Sequence, residues 1–137
     1  MTTRLEFALI LQYCFQVRIF KNKWFSRFAD KEGITDDELK EAAARLEAGQ
    51  AEADLGGGVY KIRVARQGEG KAGGYRVIVF FRCEERTFFV YGFAKSTRGN
   101  IEKDELRAFK SDAKEQFALT DKQIEAWLKN KTLIEVI

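Results

Sequence analysis

Three consecutive strand-like runs in the middle of the chain constrain the fold more than any other feature. They cover Val59–Arg66, Tyr75–Arg82 and Thr87–Lys95. In the first run, apolar side chains alternate with Lys61 and Arg63, which is the period of a strand that buries one face. The second run is apolar almost throughout, as is typical of a central strand. The three runs together predict one antiparallel sheet.

The alternation also predicts which side chains share a face of this sheet. In the third run it places two sets on opposite faces, Phe89, Tyr91, Phe93 and Lys95 against Phe88, Val90, Gly92 and Ala94. Because successive residues of a strand point to opposite faces, we expect one common face to carry Lys61, Arg63, Arg76, Tyr91 and Lys95.

Helical patterns lie on both sides of the three runs. A short strand at Gln16–Phe20 precedes a helix at Lys21–Lys31, and Thr35 opens a second helix through a capping box. After the runs, a helix covers residues 100–119, and a last helix begins at a second capping box at Thr120. The order β-α-α-β-β-β-α-α predicts an α+β fold, a small antiparallel sheet with the N-terminal helices packed on one face, followed by C-terminal helices.

Length and composition limit the number of domains and the kinds of chemistry that the chain can support. A chain of 137 residues fits one domain, which we assign to residues 16–137, after an N-terminal extension at residues 1–15 of unknown role. Two cysteines, Cys14 and Cys83, are too few for a disulfide framework and lack metal-ligand spacing. We therefore expect a cytoplasmic protein with no membrane contact, no metal and no cofactor. Because the chain has no histidine, acid–base chemistry must rely on Lys, Arg, Tyr, Asp or Glu.

Charge is distributed unevenly along the chain. The net charge is +3, yet residues 59–98 hold nine basic and three acidic residues, a balance of +6. Basic side chains on adjacent strands repel one another unless an anion bridges them. A basic sheet face interleaved with aromatic residues suits single-stranded RNA, whose phosphates bind Lys and Arg and whose bases stack on rings. The alternative is an ordinary solvated sheet face.

Three motifs in this region are similar to those of a known family. They are Asp54-Leu55-Gly56-Gly57-Gly58, then Lys61-x-Arg63-x-x-Arg66-x-Gly68-x-Gly70-Lys71-x-Gly73-Gly74-Tyr75-Arg76, then Tyr91-Gly92-Phe93-x-Lys95 with Asn100-Ile101 after it. Together they resemble the RelE/HigB-like toxins of bacterial type II toxin–antitoxin systems, within the RelE/ParE superfamily. One departure is Ala72, where the family pattern has Ser.

The resemblance implies a RelE-like fold and a ribosome-dependent, metal-independent mRNA endonuclease that inhibits translation. It also implies partners: mRNA, the ribosome and a small antitoxin, expected to be of the helix-turn-helix type, in a toxin–antitoxin hetero-oligomer. The implied catalytic residues are Lys61, Arg63, Arg76, Tyr91 and Lys95. The implied RNA-binding residues are Arg66, Lys71, Phe93 and Arg98, with Lys71 on a flexible glycine-rich loop at residues 67–74.

The implied reaction is attack of an RNA 2′-hydroxyl on the adjacent phosphate. It requires a base for the hydroxyl, positive charge around the phosphorane and an acid for the leaving 5′-oxygen. We expect either Lys61 or Tyr91 as the base, Arg63 and Arg76 together as the stabilising cations, and either Lys95 or Arg66 as the acid. Like charge around Lys61 favours its neutral form, which could accept a proton.

Two other functions fit the same sequence. A ParE-like toxin would leave RNA intact and bind a protein target such as DNA gyrase. A non-toxic RNA-binding domain would use the basic face for binding alone. Induction of the DNA-damage response distinguishes the first of these from a ribosome-dependent nuclease, which would stop protein synthesis first.

Overall fold

The computed structural model describes residues 17–66 and 70–137, with the backbone alone for residues 66 and 70–73. Residues 1–15, expected to form an extension, lie outside the described residues. The elements in chain order are β1 (Ile19–Asn22), α1 (Lys23–Glu32), α2 (Asp36–Glu47), β2 (Ala53–Gly56), β3 (Val59–Arg66), β4 (Gly70–Phe80), β5 (Thr87–Ala94), α3 (Lys103–Phe117), α4 (Asp121–Lys129) and β6 (Leu133–Val136). The α+β class predicted from the sequence is confirmed.

The strands form one six-stranded sheet in the order β2-β3-β4-β5-β1-β6. The three central strands, β3, β4 and β5, pair antiparallel as predicted. The expectation of a purely antiparallel sheet was wrong, because β1 joins β5 in parallel and makes the sheet mixed. The sequence reading also missed β2 and β6, which form the two edges of the sheet.

The helices divide between the two faces of the sheet. On one side, α1 and α2 bury Phe25, Leu39 and Leu46 against Ile62 and Val77, and we call this side the N-helix face. On the other side, Ala113 of α3 and Ile124 of α4 pack against a cluster that includes Ile78, Phe80 and Phe88, and we call this side the C-helix face. Burial of apolar side chains on both faces supplies the main stabilisation of the fold.

Local signals explain where most helices begin. Thr35 and Thr120 each form the predicted capping box, with Glu38 and Gln123 respectively. The third helix starts later than expected, because Glu102 and not Asn100 is its N-cap residue. The Asn100 side chain instead accepts hydrogen bonds from the backbone of Ile101 and from Lys61. Within the described part of the chain, no helix has the length and apolar character needed to cross a membrane.

A β-bulge changes the faces predicted for β5. The register shifts between Ile78 and Val79, so that Val79 pairs with Phe89 while Ile78 pairs with Tyr91. Phe89 therefore packs on the N-helix face, and Phe88 and Val90 pack on the C-helix face, which is the reverse of the predicted alternation for these three residues. A bulge inserts one extra residue into a strand, and strict alternation cannot anticipate it. Tyr91, which follows the bulge, is directed to the C-helix face.

Two further expectations need correction. Residues 70–74 belong to β4, so the expected loop at residues 67–74 is shorter than the glycines suggest. The helical spacing of Trp24, Phe25 and Phe28 predicts a core position for Trp24, but its side chain is 45% exposed. It remains on the surface because it stacks on Phe28 and Tyr91 at the margin of the sheet.

Candidate functional site

Cross-strand register brings the expected site residues together on the C-helix face. Arg63 of β3 pairs with Arg76 of β4, which pairs with Phe93 of β5. Lys61 lies in the adjacent row, opposite Ile78, which in turn pairs with Tyr91. Neighbouring strands are about 4.8 Å apart, so side chains on β3 and β5 are separated by about 10 Å across β4. The two rows therefore form one continuous patch.

An acidic residue that the sequence reading did not single out lies at the centre of the cations. The Glu52 carboxylate accepts a hydrogen bond from Arg63 Nε at 3.1 Å and from Arg76 Nε at 3.1 Å. Its second oxygen lies 3.0 Å from Arg76 Nε and 4.0 Å from Lys61 Nζ. The Glu52 backbone N–H also donates to Lys61 O at 2.9 Å, which fixes the residue beside β3. We call Lys61, Arg63, Arg76 and Glu52 the cation cluster.

The electrostatics of the cation cluster favour the ionised carboxylate. Burial alone would raise the pKa of Glu52, but the hydrogen bond from Arg63 and the charges of Arg76, Lys61 and Arg63 outweigh it. The net result is a pKa of Glu52 below its ordinary value. The like-charge repulsion expected between these cations is therefore relieved by a carboxylate of the protein itself.

Arg76 is the most buried member of the cluster. Its side chain is 3% exposed, and its Nη1 atom has no hydrogen-bond partner among the described residues. A buried charged donor without a partner costs about 1–3 kcal/mol or more. A donor of this kind, beside the exposed guanidinium of Arg63, is suited to an incoming anion such as a phosphate.

A chain of hydrogen bonds links the cluster to Tyr91. Lys61 Nζ donates to Asn100 Oδ1 at 3.3 Å, and Arg98 Nε donates to the Asn100 carbonyl at 2.8 Å. Arg98 Nη1 then donates to Tyr91 Oη at 2.9 Å, while Nη2 pairs with Glu105. The hydrogen bond with Glu105 raises the pKa of Arg98, with a smaller contribution from Tyr91. Arg98 thus holds the Tyr91 hydroxyl in a fixed, positively charged environment.

Aromatic rings fix the position of Tyr91. Trp24 stacks on its ring with centroids 4.6 Å apart, and Phe109 of α3 lies at 5.7 Å. The close approach of α1 requires Gly92, because a Cβ atom there would lie 2.5 Å from Phe28. Tyr91 therefore sits between α1 and α3, with its hydroxyl directed to Arg98.

The side chains of the remaining residues expected at the site make no described contact with those of the cation cluster. Lys95 is exposed, just after the end of β5. Phe93 is buried and lies beneath the Arg98 guanidinium, which leaves little of its ring for a base to stack on. Arg66 and Lys71 flank the hairpin between β3 and β4, and their side chains lie outside the described residues. The RNA-binding roles of these residues and of Arg98 stay predictions.

The described Cys, Asp and Glu residues form no group of three or more that could hold a metal ion. The chemistry available at the patch is that of fixed cations, one carboxylate and a phenol. Such groups can bind a phosphate, stabilise charge that develops on it and exchange a proton through Tyr91.

A comparison with family models assigns the chain to a known class of proteins. Residues 17–136 match the family described as the RelE toxin of the RelE/RelB toxin–antitoxin system. A match over this extent defines a toxin of a toxin–antitoxin system. The chain belongs to the RelE toxin family, and membership implies an antitoxin partner.

Proposed function

We propose that this toxin is a ribosome-dependent, metal-independent mRNA endonuclease that inhibits translation. The observation that carries the proposal is the cation cluster, in which Arg76 Nη1 is buried without a partner among the described residues beside Arg63 and Lys61. RelE toxins are in general endoribonucleases, which agrees with a site built to hold a phosphate. Acting on ribosomes, the protein would work in the cytoplasm.

The two arginines would stabilise the reacting phosphate. When the 2′-oxygen bonds to phosphorus, negative charge builds up on the non-bridging oxygens of the phosphorane. Arg63 and Arg76 are cross-strand neighbours on the C-helix face, so both guanidinium groups can address one phosphate. A planar guanidinium can donate two parallel hydrogen bonds to such oxygens, which an ammonium cannot.

Two proton transfers complete the reaction. A base removes the 2′-hydroxyl proton, the O2′–P bond forms, the P–O5′ bond breaks, and an acid protonates the 5′-oxygen. The products would be a 2′,3′-cyclic phosphate and a 5′-hydroxyl. Of the two candidate bases, Tyr91 is the better positioned, because the hydrogen bond from Arg98 holds its hydroxyl in place. Lys61 is the other candidate, and its Nζ atom lies 4.0 Å from a Glu52 carboxylate oxygen. Lys95 or Arg66 would be the acid.

We attribute the dependence on the ribosome to the positioning of the message. The chain supplies charge and a proton acceptor, while the ribosome would hold the message with the 2′-oxygen in line with the P–O5′ bond. Alignment of this kind can supply about 7 kcal/mol or more of the reduction in barrier.

Primer extension on a translated message tests the proposal. Purified protein should cut the message on translating ribosomes, cut the same RNA poorly when it is free, and retain activity in EDTA at a concentration that leaves the ribosomes intact. Loss of cleavage under that chelation would contradict the metal-independent mechanism. Intact RNA together with an induced DNA-damage response would instead support a protein target such as DNA gyrase, and binding without cleavage or toxicity would support an RNA-binding domain.

The antitoxin should cover the patch. An acidic or amphipathic segment of a helix-turn-helix antitoxin would bind the basic residues of the C-helix face and form a hetero-oligomer, and attraction between opposite charges would speed its association at low salt. Co-expression with the adjacent gene followed by pull-down checks this. Recovery of the toxin without a partner would count against it.

A further inference from the structure

Glu52 has the wrong charge for a residue at the centre of an RNA-binding patch. Its carboxylate contacts both arginines and approaches Lys61, so it occupies the place among these cations that a phosphate would take. The proposed reaction uses the three cations and has no step for the carboxylate. A group that blocks the cations from the substrate therefore needs an explanation of its own.

The Glu52 carboxylate occupies the Nε side of the Arg76 guanidinium. The Arg76 side chain is almost completely buried, and both oxygens of Glu52 lie within 3.1 Å of its Nε atom. The Glu52 side chain is 21% exposed, whereas its backbone is fixed by the hydrogen bond to Lys61 O. Rotation of the side chain alone would move the carboxylate towards solvent and open Arg76 without any change in the sheet.

We propose that Glu52 determines the anion selectivity of the cation cluster: its carboxylate competes with RNA phosphate, so that free RNA displaces it only at high concentration, whereas RNA held in place by a large scaffold displaces it readily. The inference rests on the proposed function, because it assumes that phosphate binds at this cluster. A free single strand must replace charge-assisted hydrogen bonds already made within the protein. RNA positioned on the ribosome is present at a high effective concentration and can compete.

Binding without cleavage gives a direct test. The variant is Glu52→Gln, which keeps the shape of the side chain and removes its charge. The probe is a short fluorescent 2′-O-methyl oligoribonucleotide, which lacks the attacking hydroxyl, and its binding is measured without ribosomes over a range of salt concentrations. The matched control is Glu125→Gln. It makes the same change in net charge at a residue paired with Arg18, at the opposite edge of the sheet.

The expected result is tighter binding by Glu52→Gln than by wild type, by roughly tenfold, from one competing set of charged hydrogen bonds removed. For Glu52→Gln, the slope of log K against log salt concentration should be steeper than for wild type by about 0.7. This is the value for one more phosphate contact with a single strand. Glu125→Gln should differ from wild type by less than about twofold, because surface charges far from a site are screened. Equal or weaker binding by Glu52→Gln, relative to Glu125→Gln, would overturn the proposal.

A second measurement covers the case in which Glu52→Gln does not fold. In the wild-type protein, saturating oligonucleotide should shift the carboxyl ¹³C NMR signal of Glu52, because the carboxylate leaves the two arginines. The signal of Glu125 should stay in place. An unchanged Glu52 signal at saturation would contradict displacement.

The two proposals can fail separately. If wild type cuts the message on ribosomes but Glu52→Gln gains no affinity for the probe, the role of Glu52 is wrong and the nuclease function stands. If Glu52→Gln gains affinity but no variant cuts RNA on ribosomes, competition at the anion site stands and the nuclease function is wrong.

Discussion

Two clusters of basic side chains and carboxylates lie at opposite edges of the same sheet, and their net charges have opposite signs. At the β6 edge, one arginine, Arg18, is paired with two carboxylates, Glu135 and Glu125. At the β2 edge, one carboxylate, Glu52, serves three cations. The first cluster satisfies its own charges. The second has excess positive charge and a buried donor, Arg76 Nη1, that no described residue satisfies.

The difference separates an ion pair that holds strands together from one that can bind something else. Arg18 donates to the two oxygens of Glu135 through two bonds, at 2.8 and 2.9 Å, which is the strong bidentate geometry. The hydrogen bond from Arg18 accordingly lowers the pKa of Glu135, against the effect of burial. In the cation cluster, by contrast, Arg76 Nη1 has no hydrogen-bond partner among the described residues.

The largest expected effect is on catalysis, at the β2 edge. Replacing Arg76 with Ala should lower the rate of message cleavage by roughly 10²-fold, because it removes charge stabilisation aimed at the phosphorane. Arg76→Lys should recover little, since a point charge cannot reproduce a bidentate guanidinium contact. Arg18→Ala, at the other edge, should cut at the wild-type rate. Equal losses in the Arg76 and Arg18 variants would remove the distinction between the two clusters.

Neutralising the carboxylate at the β2 edge should also lower the stability more than neutralising the carboxylate at the β6 edge. Glu52→Gln should lower the free energy of unfolding by about 2 kcal/mol, because the buried Arg76 loses its counter-ion, with some loss offset by solvent. Glu135→Gln should cost under about 1 kcal/mol, since Arg18 is 34% exposed and keeps Glu125. Urea unfolding at neutral pH measures both. A larger loss for Glu135→Gln would reverse the comparison.

Tyr91 should affect the rate more than the stability. Tyr91→Phe keeps the ring contacts with Trp24 and Phe109 and removes only the hydroxyl that accepts from Arg98. If the phenol is the base, cleavage should fall by roughly 10²-fold, with a change in stability of about 1 kcal/mol or less. Lys61→Ala should also slow cleavage and leave the domain folded. Wild-type cleavage by Tyr91→Phe would leave Lys61 as the candidate base.

The smallest expected effect is a pH dependence at the β6 edge. The folded pKa of Glu135 lies below the ordinary value of 4.5, so its stabilisation is fully present above that pH and is lost as the pH falls through the folded pKa. In urea unfolding at neutral pH, the free energy of unfolding of wild type should therefore exceed that of Arg18→Ala by about 1 kcal/mol. This difference in stability should become smaller in acid. The remainder would reflect the lost contact between Arg18 and the Phe20 ring. A difference that grows below that pH would contradict the pairing.

Much of the β3–β5 sheet could be predicted because its side chains follow simple physical periods. Alternation along β3 predicted that Lys61 and Arg63 lie on the face of the sheet opposite to that of Ile62. The capping boxes at Thr35 and Thr120 predicted the starts of two helices. The β-bulge could not be predicted, because nothing in Val90 or its neighbours signals an extra residue in the strand. It altered the face of Phe89 but left Tyr91 on the expected one.

Glu52 was missed because its position depends on pairing distant in sequence. It precedes β2, whose residues Asp54 and Gly56 are poor strand formers, so neither the strand nor its neighbour was predicted. Glu52 also lies outside residues 59–98, so the charge balance of that segment did not include it. The one available signal was physical: crowded cations on adjacent strands require a bridging anion, and that anion is within the protein.

The most direct test of the central claim is cleavage by a Lys61→Ala/Arg76→Ala variant, assayed by primer extension on a translated message. Wild type and Glu125→Gln serve as controls, and a cooperative thermal unfolding transition together with a wild-type circular dichroism spectrum establishes that the double variant is folded. The account predicts cleavage by both controls, none by the folded double variant, and no growth arrest when it is expressed without antitoxin. Cleavage and growth arrest by the double variant at the wild-type level would contradict it.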